Sequence, residues 1–228
     1  MRDKRNHLSI LLVLLIYFSC KNESRDPVIN KIGRNENQLD TLLNTNDYLI
    51  LGKKTTKVKV VQKDKIDDFP TYEVLIGYRD DVIIAEKISF NEVEIYRKNN
   101  PKTFFEDYKV AIYKGKLSEP DFSTNLQAKR FKTNIKKECA NGINFAGHYT
   151  LITWGCGSPC QSGVLVDRKT GKIYGGYGTS LGSKFKKDSR MIIKNIGALD
   201  TITNLIKVCA YCEVSQEIWT DTEFKVVE

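Results

Sequence analysis

Apolar and polar side chains alternate with a period of two across residues 48–96, and this constrains the fold more than any other feature of the chain. Lys57-Val58-Lys59-Val60 and Glu92-Val93-Glu94-Ile95-Tyr96 alternate strictly. Tyr48-Leu49-Ile50-Leu51, Tyr72-Glu73-Val74-Leu75-Ile76 and Val82-Ile83-Ile84-Ala85 are rich in β-branched and aromatic residues. Successive strand side chains point to opposite faces, so segments of this kind predict half-buried antiparallel strands. Gly77-Tyr78-Arg79-Asp80-Asp81 predicts a turn between two of them, and Asn99-Asn100-Pro101 ends the region. Strand patterns resume at 149–154, 163–167, 172–174, 191–193, 217–219 and 224–227, with turns at Arg168-Lys169-Thr170-Gly171 and Thr220-Asp221-Thr222-Glu223.

A different period governs the segment between these two groups of strands. Ala128, Phe131, Ile135 and Cys139 fall on one helical face, while Lys129, Lys132, Lys136 and Lys137 lie largely away from it. Asp121 or Ser123 can cap the start, and Asn141-Gly142 stops the end. The expected fold is therefore α+β: mainly antiparallel sheet, with one clear helix over about 123–140 packed on the C-terminal sheet. A second, short helix is expected around Asn37–Leu43.

The N-terminus predicts export. Met1-Arg2-Asp3-Lys4-Arg5 is basic, Leu8–Phe18 is apolar but for Ser9, and Ser19 precedes Cys20. This is the order of a secretory signal. The apolar run, about 11 residues, is short of the roughly 20 that a membrane-spanning helix needs. Leu-Leu-Ile-Tyr-Phe-Ser-Cys resembles a bacterial lipobox, which makes Cys20 the expected site of lipid attachment, and Lys21-Asn22-Glu23 resembles a surface-export signal of some Gram-negative lipoproteins. The expected organisation is a signal peptide at 1–19, a lipidated tether at 20–46, an N-terminal β-rich region at 47–118 and a C-terminal α+β module at 119–228. The expected location is the cell envelope, with the chain anchored to a bacterial membrane.

Besides Cys20 there are five cysteines: Cys139, Cys156, Cys160, Cys209 and Cys212. An oxidising compartment permits disulfides, and an odd count leaves at least one thiol over. Cys139, on the apolar helix face, is expected as a buried thiol, with pairing to Cys209 or Cys212 as the alternative. Cys209-Ala210-Tyr211-Cys212 has the spacing of a redox motif, but no helix start within a βαβ unit surrounds it. A local or cross-linking disulfide, free buried thiols and redox catalysis are its three readings.

The most individual stretch is Asn144-Phe145-Ala146-Gly147-His148-Tyr149, Trp154-Gly155-Cys156-Gly157-Ser158-Pro159-Cys160-Gln161, then Asp167 with Thr170-Gly171-Lys172-Ile173-Tyr174. Residues 120–228 thereby resemble a family of uncharacterised bacterial secreted and periplasmic proteins. The resemblance implies a secreted domain and no particular chemistry.

From the residues themselves, Cys156 and Cys160 are expected as a small disulfide pinning a turn. The sharper alternatives are a nucleophilic thiol with His148 as base, or a metal site formed with His148, which would lack a fourth ligand. His148 is read either as a structural side chain or as part of a surface site. His148, Trp154 and Tyr177 form the candidate binding surface, with Gly175–Gly182 as a surface loop. That glycine run lacks the Gly-Lys-[Ser/Thr] ending of a phosphate loop. No cofactor is expected. The net charge of +8 is scattered, its densest clusters being 129–132 and 184–187, and no nucleic-acid motif accompanies it, so nucleic acid is not an expected partner. The expected function is a non-catalytic envelope module binding a protein, peptide or glycan. A thiol-dependent enzyme, either a hydrolase or a disulfide exchanger, is the alternative.

Overall fold

The computed structural model describes residues 39–227 apart from 79 and 87–91. The expected signal segment and Cys20 lie outside the described residues. In chain order the strands are β1 (Asp40–Asn44), β2 (Tyr48–Gly52), β3 (Val58–Gln62), β4 (Tyr72–Tyr78), β5 (Asp81–Glu86) and β6 (Val93–Lys98). After helix α1 (Lys132–Ala140) come β7 (Tyr149–Gly157), β8 (Cys160–Asp167), β9 (Ile173–Thr179), β10 (Ser183–Phe185), β11 (Met191–Lys194), β12 (Leu199–Asp200), β13 (Leu205–Lys207), β14 (Ser215–Trp219) and β15 (Phe224–Val226). The fold is α+β and the named strand pairs are antiparallel.

Four sheets result. Their orders are β1-β2-β6-β13-β12, β10-β11-β14-β15, β3-β5-β4 and β7-β8-β9. The alternation seen in the sequence is the burial pattern of the first sheet. Tyr48 and Ile50 of β2 and Val93 and Ile95 of β6 are buried, with their neighbours only half so. β5, the centre of its sheet, buries Val82, Ile83, Ile84 and Ala85 in succession. A strand covered on both faces loses its alternation in this way.

The β7-β8-β9 sheet has two differently covered faces. One carries Tyr149, Leu151, Leu165 and Tyr177 into a core with Phe145, Ile192 and Trp219. The other carries Ile152, Val164, Val166 and Ile173 against Ala128, Ile135 and Cys139 of the helical segment. Burying a side chain such as Ile135 contributes about 2 kcal/mol.

The structure departs from the sequence-based expectation in five places. The helical segment starts at Gln127 as a 3-10 turn and becomes α-helical only at Lys132. Asp121 Oδ1 accepts both Ser123 N–H, at 2.9 Å, and Ser123 Oγ–H, at 2.7 Å, so these residues close a turn instead of capping a helix. Asn125 Oδ1, which accepts Ala128 N–H at 3.1 Å, takes the capping role. At the N-terminal end, residues 40–44 form β1 rather than the end of a helix, because pairing with β2 satisfies their backbone and covers Leu42 and Leu43.

The chain also fails to divide at 118. β13 pairs with β6, which sets Leu205 opposite Lys98 and Lys207 opposite Tyr96, so residues 199–207 complete the N-terminal sheet. The described strands belong to one unit, Asn37–Glu228. Gly175–Gly182 is not a loop throughout, since β9 runs to Thr179 and bulges between Tyr174 and Tyr177. That bulge returns Tyr177 to the core, where it is 3% exposed and donates to Ser183 Oγ at 2.8 Å. Tyr177 is therefore not a surface residue. Gly163 opposite it leaves no space for a Cβ, because the Ile152 carbonyl and the Tyr177 ring occupy it.

Candidate functional site

The residues singled out by sequence lie at the two ends of the β7–β8 hairpin. At the root, Phe145 and Tyr149 exchange backbone hydrogen bonds across a tight turn, Phe145 N–H to Tyr149 O at 3.0 Å and Tyr149 N–H to Phe145 O at 2.9 Å. Ala146 and Gly147 supply the left-handed angles, φ 46° and 77°. A Cβ on Gly147 would lie 2.5 Å from the Ala111 carbonyl oxygen, so glycine is required there for both space and conformation. Asn144 acts as a short substitute strand. Its Nδ2 donates to Leu151 O at 2.9 Å and its Oδ1 accepts Leu151 N–H at 2.7 Å. The Asn-Phe-Ala-Gly-His-Tyr run is thus explained by backbone geometry.

His148 sits on this turn, half-buried, with Nε2 at 3.8 Å from Asp167 Oδ1. Burial pushes its pKa below that of a free imidazole, and Lys169 adds to the effect, while Asp167 and Asp221 oppose it. Asp167 is committed to its own turn. Its Oδ1 accepts Lys169 N–H at 2.8 Å and its Oδ2 accepts Thr170 Oγ–H at 2.8 Å. The neighbouring Tyr149 hydroxyl, whose pKa is raised chiefly by burial, donates to Asp221 at 3.0 Å, and Arg190 pairs with Asp221 at 2.9 Å.

Arg168, at 3% exposure, is the residue that sequence reasoning missed. Its guanidinium donates to the Cys139 carbonyl at the end of α1, to Thr150 Oγ at 3.3 Å and to the Ser118 carbonyl at 3.1 Å. Its own N–H donates to His148 O at 2.8 Å. Nothing in Arg168-Lys169-Thr170-Gly171 distinguishes a buried arginine from a solvated turn residue. Its role follows only from the helix end packing over the hairpin root.

At the other end of the hairpin, Cys156 and Cys160 form a disulfide across an exposed tip. β7 is continuous between the two ends, so eight residues at about 3.3 Å each hold His148 and Cys156 about 26 Å apart. The structure does not bring the two together. Trp154, between them, is half-buried and stacks on Phe131 with ring centroids 4.0 Å apart and planes 17° apart. Cys209 and Cys212 also pair with each other. They sit where the chain crosses from β13 in the five-stranded sheet to β14 in the four-stranded one. Cys139 is left free and buried, and burial raises its thiol pKa. A raised pKa disfavours the thiolate, the reactive form. No group of three His, Cys, Asp or Glu side chains suited to a metal ion occurs among the described residues, and no helix among them is long and apolar enough to cross a membrane.

A concavity lies elsewhere on the described residues. A groove of about 810 Å³ lies between the five-stranded and four-stranded sheets. Buried Tyr48, Met191 and Ile206 contribute to its lining, as do exposed Lys102, Phe104, Lys184 and Val226. Residues 99–105 form a strap along it, tied to both sheets. Asn99 N–H donates to Asn204 O at 2.8 Å and Asn100 Nδ2 to Asn46 O at 3.2 Å on one side. On the other, Thr103 Oγ donates to Gln216 Oε1 at 2.8 Å and Ser189 Oγ to Phe105 O at 2.8 Å. This volume lies within the range of small-ligand and short-segment sites, roughly 300–1,000 Å³. The period-two pattern carries no sign of the groove, because it arises from sheet placement and from the return of β13 to β6.

Comparison with known protein families, with characterised proteins and with solved structures finds no match.

Proposed function

We propose that this chain is a cell-envelope lipoprotein, held to a bacterial membrane through lipid on Cys20, whose folded part is a non-catalytic module that binds a protein, peptide or glycan. The groove between the two sheets carries this reading, because it combines buried apolar lining with a charged and polar rim. That is the composition of a surface that holds a ligand or partner. Phe104, at 54% exposure, and Val226, at 62%, stand at the groove as uncovered apolar side chains. The separation of His148 from Cys156 and the Cys156–Cys160 disulfide favour this reading over a thiol hydrolase.

Two experiments test the two parts. Expression of the full chain in a Gram-negative host, with mass spectrometry of the product, is expected to show loss of residues 1–19 and acyl chains on Cys20. A Cys20→Ala variant is expected in the soluble fraction. A non-acylated wild-type product in that fraction would overturn the anchor. For the groove, cross-linking in the native envelope is expected to yield a partner that a Phe104→Asp/Val226→Asp variant loses. Identical capture by both proteins would remove the groove from the reading.

A further inference from the structure

The outer part of the β7-β8-β9 sheet leaves a second surface, separate from the groove. Trp154 lies opposite Ser162, and Ser162 opposite Gly178, so the three form one row across the sheet. The row lies on the helix-covered face, because Trp154 packs with Ile152 and Val164 against the helical cluster. The helical segment covers this face only as far as Phe131, which stacks on Trp154. Beyond it the floor is bare. At Gly178 a Cβ would meet only the Gln161 carbonyl oxygen, at 3.9 Å, and at Gly176 nothing within 4 Å. No side chain lies within 4 Å of a Cβ at Gly178, so exposed glycine backbone lies open in the same row as Trp154 and its stacking partner Phe131. Asn125 stands at its edge, with Nδ2 3.3 Å from the Cβ position of Gly175.

The rim is basic. Lys129 and Arg130 are exposed, precede Phe131 directly and have no acidic partner among the described residues. We infer that this shelf binds one sugar ring of an acidic polysaccharide. The apolar face of a pyranose needs a flat aromatic wall, and the glycine strip admits the ring without a clash. Its hydroxyls match Ser162 and Asn125, and its carboxylate matches the planar donors of Arg130. A polypeptide of equal charge has no flat ring to use the strip.

The test uses the purified full chain and three probes: oligogalacturonate, a neutral cello-oligosaccharide of the same length, and polyglutamate of matching charge. The chain has two tryptophans, and Trp219 is 1% exposed, so a ligand-dependent change in tryptophan fluorescence reports on Trp154. Oligogalacturonate is expected to bind and change the fluorescence, the neutral sugar to bind more weakly, and polyglutamate to leave the signal unchanged. Gly178→Val, which fills the strip and leaves both rings in place, is expected to lower oligogalacturonate affinity by about tenfold or more. Trp154→Phe is expected to retain part of the affinity. Arg130→Gln is expected to weaken only the acidic probe. Circular dichroism and melting curves of the variants confirm that they fold. No binding of oligogalacturonate, or equal binding of polyglutamate with no effect of Gly178→Val, would overturn the inference. Phe104→Asp/Val226→Asp is expected to leave oligogalacturonate binding unchanged, and loss of binding in that variant would also overturn it.

Discussion

The two ends of the β7–β8 hairpin contain similar numbers of unusual residues and use them differently. At the root, the polar groups of Asn144, Asp167 and Arg168 are spent on neighbouring backbone and turn groups. At the tip, residues 155–160 are exposed and the disulfide closes a turn whose ladder already reaches Gly157 and Cys160. The root is fixed by tertiary contacts; the tip is available to solvent and to ligands. A distinctive sequence run therefore marks structure at one end of a strand and surface at the other.

The sharpest way to break this contrast is to remove the buried arginine. Arg168→Met keeps the stem but strips the Ser118 carbonyl of its donor, and leaves the Cys139 carbonyl with Gly142 N–H alone and the Thr150 hydroxyl with the Gly142 carbonyl alone. The Ser118 carbonyl left unpaired costs about 1–3 kcal/mol and each of the two lost hydrogen bonds about 0.5 kcal/mol, so a loss of about 3 kcal/mol in denaturant unfolding is expected. Arg168→Lys is expected to recover part of it. A Met variant as stable as the parent would show the root network to be dispensable. Asn144→Leu comes next, at about 2 kcal/mol, because Leu151 N–H and C=O both lose their partner. The same readout decides it.

The sequence reveals the strands of the first sheet well, because Tyr48, Ile50, Val93 and Ile95 bury one face of an antiparallel sheet and so print a period of two. The cysteine pairings were only partly legible. A disulfide between Cys156 and Cys160 was the expected outcome, whereas Cys209–Cys212 was one of three readings. What could not be read is what depends on contacts distant in sequence. Leu205–Lys207 joins Tyr96–Lys98 across more than a hundred residues, and no local pattern announces it. Tyr177 looked like a loop residue among glycines. The bulge that aims it inward is set by the pairing of Gly163 with Tyr177 and Leu165 with Tyr174. Arg168 is hidden in a turn for the same reason.

A milder test compares the two disulfides. Loop-closure entropy for a disulfide spanning so few residues is about 2 kcal/mol at most, and the tip ladder has already removed part of that freedom. Cys156→Ser/Cys160→Ser is therefore expected to cost under about 1 kcal/mol in thermal unfolding. Cys209→Ser/Cys212→Ser is expected to cost more, because that bridge fixes the crossover where Val208 N–H donates to Ile95 O at 2.9 Å. Equal losses would mean that the tip is as constrained as the crossover.

The smallest expected effect is the pH response of the root. Burial holds the His148 pKa below that of the unfolded chain, about 6.5. Below that value the unfolded state binds a proton that the folded state resists, so this group lowers stability as pH falls. The contribution is constant above the unfolded pKa. It declines as pH drops through the window between the two values and levels off once both states are protonated. Asp167 at 3.8 Å and Asp221 favour the protonated ring, which keeps the window narrow. Unfolding free energies measured between about pH 8 and 5 are expected to slope downward more in the parent than in His148→Gln, which carries no titrating ring. An identical slope in the two proteins would mean that His148 is as solvated as a residue at the tip, and the difference between root and tip would then not extend to its one histidine.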